Sequence, residues 1–112
     1  GVEKYIMSKE VFFEDHEVGS VSAQEGVILV GQKATPNYVL ATVTQFSQGA
    51  TKVIIKARGR AISRAVDTAE MVKRFLQNRV EVQEVKIGSE RVGEPGKERT
   101  VSTIEIVLVK KG

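Results

Sequence analysis

The feature that most constrains this chain is the handover at residues 53–63. The β-branched run Val53-Ile54-Ile55 leads into Lys56-Ala57-Arg58-Gly59-Arg60-Ala61-Ile62-Ser63. β-Branched residues suit a pleated, half-buried strand, and a helical pattern begins just past the glycine. A strand therefore passes into a helix within a few residues, and the fold must pack helices on a sheet so that each buries its apolar side. Lys56, Arg58 and Arg60 gather at the junction. A helix N-terminus exposes unpaired N–H groups and a partial positive charge, so it already favours anions. Arginine adds a planar fork suited to phosphate. A basic tripeptide alone is more often a solubilising turn, so the rest of the chain has to decide.

Upstream, Val27-Ile28-Leu29-Val30 is a short apolar run ending at Gly31 and reads as a central strand. Thr35-Pro36 reads as an N-cap followed by proline in the first turn, opening a helix over 36–48 that Gly49 stops. Val39, Leu40, Val43 and Phe46 form its expected buried stripe. The second helix is expected from the 59–62 region to about Leu76, with Ile62, Val66, Ala69, Val72 and Leu76 on its core face. Thr68, Met71 and Phe75 make a second stripe, and an exposed Phe75 with Met71 suggests a contact with another molecule. Val80 to about Arg91 reads as a long strand whose alternation changes phase near Gln83-Glu84, the mark of a bulge or strong twist. Thr100–Val109 is its antiparallel partner. Ile104, Ile106 and Leu108 share one face of that strand, and Val101, Thr103, Val107 and Val109 share the other. With helices on one side only, the second apolar face hints at a dimer. Gly93, Pro95 and Gly96 mark a turn between these strands, carried outward as an arm with Arg91, Lys97 and Arg99. The order is β-α-β-α-β-β: an α+β sandwich, with a mixed four-stranded sheet and both helices on one face.

Charge divides the chain. Residues 1–20 carry two lysines against five carboxylates, and residues 21–112 carry the other fifteen basic and nine acidic groups. Residues 1–24 are expected as an acidic N-terminal arm, with Val11-Phe12-Phe13 its one dense apolar patch, and 25–112 as a basic domain. A basic domain points to a polyanionic partner. With no cysteine, the chain has no disulfide, thiolate nucleophile or Cys-based zinc site. The single histidine, His16, sits among acids without a motif, so no Ser/His/Asp set forms. Phosphate loops of the Walker or GxGxxG type are missing, and Asp67 with Glu70 reads as helix surface rather than a cation site. The expectation is a non-enzyme without metal or cofactor. No signal peptide is expected within residues 1–112, and no apolar run in them nears the ~18 residues of a membrane span.

Several blocks in order carry a resemblance: Val30-Gly31-Gln32-Lys33, Asn37-Tyr38-Val39-Leu40-Ala41, Val53 through Ser63, Ala65-Val66-Asp67-Thr68, and Val101-Ser102-Thr103-Ile104-Glu105-Ile106. Over 27–111 the chain resembles the Alba (Sac10b) family of archaeal chromatin proteins. The resemblance implies a fold like the C-terminal domain of bacterial translation initiation factor three, and a homodimer that coats and compacts double-stranded DNA without sequence specificity. It also implies binding of RNA in many cases, and a cytoplasmic location on the chromosome or nucleoid. The family's lysine pair after the first strand stands here as Gln32-Lys33, so Lys33 is the nucleic-acid contact and the acetyl-lysine candidate. Phe75, with Met71 beside it, matches the aromatic at a dimer–dimer contact, the source of cooperative coating.

The expected nucleic-acid surface therefore comprises Lys33, Lys56, Arg58 and Arg60 over the backbone and Asn37 and Tyr38 bonding phosphates. Arg91, Lys97 and Arg99 are expected to act from the arm. A heterodimer with a paralogue and an RNA-binding role in a ribonucleoprotein are the nearest alternatives. A protein-interaction module with an incidental basic face is the third.

Overall fold

The computed structural model describes residues 9–12, 18–21 and 25–111. Within the acidic arm, β1 (Lys9–Phe12) and β2 (Val18–Val21) form an antiparallel hairpin, with Lys9 opposite Val21 and Phe12 opposite Val18. From sequence this segment reads as an acidic arm, with no strands assigned to it. The readings of Phe13 and His16, and of the Val11 and Phe12 side chains, lie outside what is described.

From residue 25 the chain runs β3 (Glu25–Leu29), α1 (Thr35–Ser47), β4 (Lys52–Arg58), a 3-10 turn over Gly59–Ala61, α2 (Ile62–Phe75), β5 (Val80–Val92) and β6 (Arg99–Lys110). These are the six expected elements in the expected order. The sheet order is β3-β4-β6-β5, parallel between β3 and β4 and antiparallel elsewhere. The apolar run at 27–30 thus lies in an edge strand of this sheet, not a central one. It is still rich in apolar residues because Ile28 and Val30 enter the core while Val27 and Leu29 lie half-buried on the opposite face.

Both helices pack on one side of the sheet, where Ile28, Val53, Ile55, Ile106 and Leu108 meet Tyr38, Phe46, Ala65 and Val72. Their buried stripes are rotated from expectation. In α1 the buried residues are Tyr38, Thr42, Gln45 and Phe46, while Leu40 is 68% exposed. In α2 they are Ala65, Thr68, Ala69 and Val72, while Val66 is 41% exposed. Threonine explains the rotation. Thr42 Oγ1 donates to the Tyr38 carbonyl and Thr68 Oγ1 to the Arg64 carbonyl, both at 2.8 Å. A hydroxyl satisfied one turn back can be buried, so hydrophobicity alone misplaced the faces.

The cap of α1 also differs: Ala34, not Thr35, is the N-cap, and no side chain caps it. Gly49 ends α1 at φ 109°, as expected. At the end of α2, Asn78 N donates to Lys73 O and Gln77 N to Arg74 O. This is a Schellman closure, and it holds two non-glycine residues at positive φ, 53° for Gln77 and 61° for Asn78.

The phase change near Gln83-Glu84 is a register shift in the β5–β6 ladder between Val82 and Glu84. Beyond it, Val85 and Ile87 pair with Ile106 and Ile104 on the helix side of the sheet. The helices do not cover them: Val85 is 50% and Ile87 83% exposed. On the opposite face Val107 is buried. The most exposed apolar row of the sheet therefore lies on the helix side of β5, not on the second face of β6.

Candidate nucleic-acid interface

β4 pairs with β6 only as far as Arg58 opposite Thr103. Past that point β5 and β6 pair only with each other, from Ser89 opposite Ser102 to Val92 opposite Arg99. Four residue pairs at about 3.4 Å each carry the turn about 14 Å beyond the sheet. The turn is tight. Lys97 N donates to Glu94 O at 2.8 Å, and a Cβ at Gly93 (φ 110°) would sit 2.8 Å from the Lys97 carbonyl oxygen. The arm was expected to be basic. Over 89–102 it carries Arg91, Lys97 and Arg99 against Glu90, Glu94 and Glu98, so its charge is balanced, and Arg91 is bonded to Glu98 at 3.3 Å.

Between this arm and the β4–α2 junction runs a groove of about 930 Å³. The end of β3 supplies its floor, Val30, Gly31 and Gln32. One wall is Arg58, Gly59, Arg60, Ala61 and Arg64, and the other is Val92, Gly93, Lys97, Arg99 and Val101. Five of these thirteen residues are cationic and none is acidic, so the groove attracts anions. Gly59 turns the chain at φ 58°, a conformation glycine adopts without strain, and this swings Arg60 off the sheet and onto the groove wall.

The floor is held from two sides. Tyr38 is 2% exposed, and its hydroxyl accepts from Gly31 N and Lys33 N, both at 2.9 Å. This corrects the expectation for Tyr38: buried behind the loop, it fixes the loop's backbone and does not present itself to phosphate. From the other side Arg64 Nη1 donates to the Gly31 carbonyl. Arg64 was missed in the sequence because its offset from Asp67 and its neighbours made it look like helix surface. Asn37 remains exposed, with Nδ2 donating to Ala34 O at 3.2 Å. Lys33 is half-buried beside the floor.

Of the remaining expected cations, Lys56 lies outside the groove and Arg58 borders a second depression as well. Lys56 projects on the sheet face away from the helices and lies 3.9 Å from Glu105. Arg58, at the end of the same face, is bonded to Glu90 on β5. These residues line a second depression, about 630 Å³, bounded by Leu29, Lys56, Arg58, Glu90, Thr103 and Glu105. Phe75 is 67% exposed at the end of α2, with Met71 half-buried one turn before it. Among the described residues, no cluster of three or more His, Cys, Asp or Glu could hold a metal ion, and no helix is long and apolar enough to cross a membrane.

The Alba family model matches residues 26–89, which is the body from β3 through most of β5. The chain is 61% identical over 87 residues to the DNA/RNA-binding protein Alba of Nanoarchaeum equitans, covering 75% of this chain and 97% of that one. The chain belongs to the Alba family. It is also 54% identical over 88 residues to the DNA/RNA-binding protein Alba of Pyrobaculum islandicum, covering 77% of this chain and 96% of the relative. Among solved structures, Alba from Thermoplasma volcanium superposes with a TM-score of 0.71 at 44% identity, over 75% of this chain and 99% of that one. ALBA1 from Trypanosoma brucei gives 0.61 at 29% identity, over 76% and 68%. The mixed four-stranded sheet with two helices on one face is the fold of this family.

Proposed function

We infer that this Alba-family protein binds nucleic acid through the phosphate backbone, coating double-stranded DNA without reading its sequence. The observation that carries this reading is the groove: five cations, no carboxylate, and a backbone held in place by Tyr38 and Arg64. Phosphate contacts position a protein without reading bases, and among the described residues both helices pack on the sheet. Lys33 and Asn37, beside the groove floor, extend the surface. The relatives named as DNA/RNA-binding support the same reading. Structured RNA is the second reading, because its duplex regions offer the same phosphates. Single strands fit less well: they are gripped by aromatic stacking, and no aromatic residue lines the groove.

The working unit is a homodimer. The exposed row Val82, Val85 and Ile87 on β5 is an apolar surface that a second copy would bury, and a heterodimer with a paralogue would use the same row. Phe75 and Met71 join neighbouring dimers and make coating cooperative. Acetylation of Lys33 removes a charge beside the groove and weakens binding. The protein acts on the chromosome, in the cytoplasm, and as a binding protein with no catalytic role. Residues 1–24 form an accessory arm to the binding domain.

The test is a titration against labelled duplex DNA and a matched structured RNA at several salt concentrations. If a dimer neutralises roughly six phosphates, log K falls by about 0.9 per phosphate per decade of salt, a loss of about a thousandfold between 50 and 200 mM. A slope near zero overturns the backbone reading, and a marked preference for RNA moves the function to ribonucleoprotein. Val85→Glu with Ile87→Glu should yield monomers by sedimentation. Phe75→Ala should leave single-dimer affinity intact and flatten the cooperative isotherm.

A further inference from the structure

We propose that Glu90 is an internal competitor for the nucleic-acid phosphate and sets how strongly the protein grips its ligand by occupying the Arg58 guanidinium. This rests on the phosphate-binding reading above and adds a residue that reading does not use.

The placement follows from register. Arg58 is the last residue of β4 and stands opposite Thr103 of β6, with Gly88 of β5 on the other side of Thr103. Gly88 has no side chain to occupy the surface over Thr103. Glu90, two residues further along β5 and on the same face, therefore meets Arg58 across β6, and the two are bonded through Nη1 and Oε1. Arg58 also lines both depressions, the cationic groove and the mixed one that contains Glu90. Arg58 thus borders both depressions, and the carboxylate occupies its fork.

A carboxylate and a phosphodiester present the same thing to arginine: an anionic oxygen that accepts from its fork. Occupancy is therefore competitive. Both side chains are well exposed, Arg58 at 63% and Glu90 at 45%, and exposed ion pairs are weak and screened by salt. The pair is strong enough to lower affinity and weak enough for a polyanion to displace. Among the described residues Arg60, Lys97 and Arg99 have no such ion pair and Arg64 bonds the Gly31 carbonyl, so of the groove's cations Arg58 alone must first be released from a carboxylate.

The experiment measures binding of full-length protein to a 30-bp duplex between 50 and 300 mM salt, for wild type, Glu90→Gln, Arg58→Ala and the double variant. Glu81→Gln serves as a control, removing the same charge from an exposed position at the far end of β5. Glu90→Gln should bind roughly two- to five-fold tighter at 50 mM salt, with a log–log slope steeper by about 0.9 per phosphate gained. Arg58→Ala should abolish that gain, and Glu81→Gln should reproduce little of it. Thermal unfolding should show every variant folded. Equal affinity and slope for Glu90→Gln and wild type overturn the proposal. So does a gain that persists without Arg58, or one matched by Glu81→Gln, since either makes it a net-charge effect. If wild type shows no salt-dependent duplex binding at all, the proposed function itself fails, and that result is distinct from each of these.

Discussion

The groove of about 930 Å³ and its neighbour of about 630 Å³ share Val30, Gly31 and Arg58, yet their electrostatics differ. The first gathers Arg58, Arg60, Arg64, Lys97 and Arg99 with no acid; the second sets Lys56 and Arg58 against Glu90 and Glu105. In the sequence, Lys56, Arg58 and Arg60 look equivalent, spaced by two around one glycine. Strand geometry separates them. Period two keeps Lys56 and Arg58 on the face that also holds the cross-strand carboxylates. Arg60 lies past the strand end, in the 3-10 turn, where the sheet no longer dictates its direction. A count of basic residues thus says little about a binding face until their partners are known.

The sharpest way to break this contrast is to remove cations from each depression in turn. Arg60→Ala with Arg99→Ala should weaken duplex binding by roughly tenfold per lost phosphate contact at 0.1 M salt, giving a loss near a hundredfold by fluorescence anisotropy. If Lys56→Ala, which removes the second depression's own cation, costs as much per residue, the two depressions are not distinct. Tyr38→Phe should come next. It leaves Gly31 N and Lys33 N without their acceptor, at a cost of about 1–3 kcal/mol in denaturant unfolding, and it should loosen the groove floor and lower affinity.

A smaller effect, far from both depressions, calibrates the others. Gln77→Gly relieves the positive φ at the end of α2 and should raise stability by about 0.5–1 kcal/mol. Binding should not change, which would show that affinity does not simply follow stability. Smallest of all, Lys52→Ala with Lys56→Ala should shift affinity by no more than about threefold, because both lysines already face carboxylates at 4.0 and 3.9 Å.

Much of the fold was legible. The strand read at 53–56, the bulge near Gln83-Glu84, the helix stop at Gly49 and the long β5–β6 pair follow from local chemistry: β-branching, period and turn residues. The helix faces were not, because Thr42 and Thr68 count as polar until their hydroxyls are seen to be satisfied within the helix. The second apolar surface was expected on the far face of β6 rather than as the row on β5, because the bulge and the limited reach of the helices decide what is covered. At the site, Lys33, Arg58, Arg60, Lys97 and Arg99 were readable as a basic set. Arg64 and the buried role of Tyr38 were not, since both act through a backbone loop 33 and seven residues away.

By itself the sequence determined the element order, the family, and that a cationic junction follows β4, because these depend on neighbours along the chain. Tertiary structure alone decided which cations stay unpaired, since Glu90 and Glu105 reach Arg58 and Lys56 only across the β6 ladder. Charge pairing acts over a few ångströms of space, and residues 32 or 49 positions apart along the chain become neighbours only when the sheet sets the register.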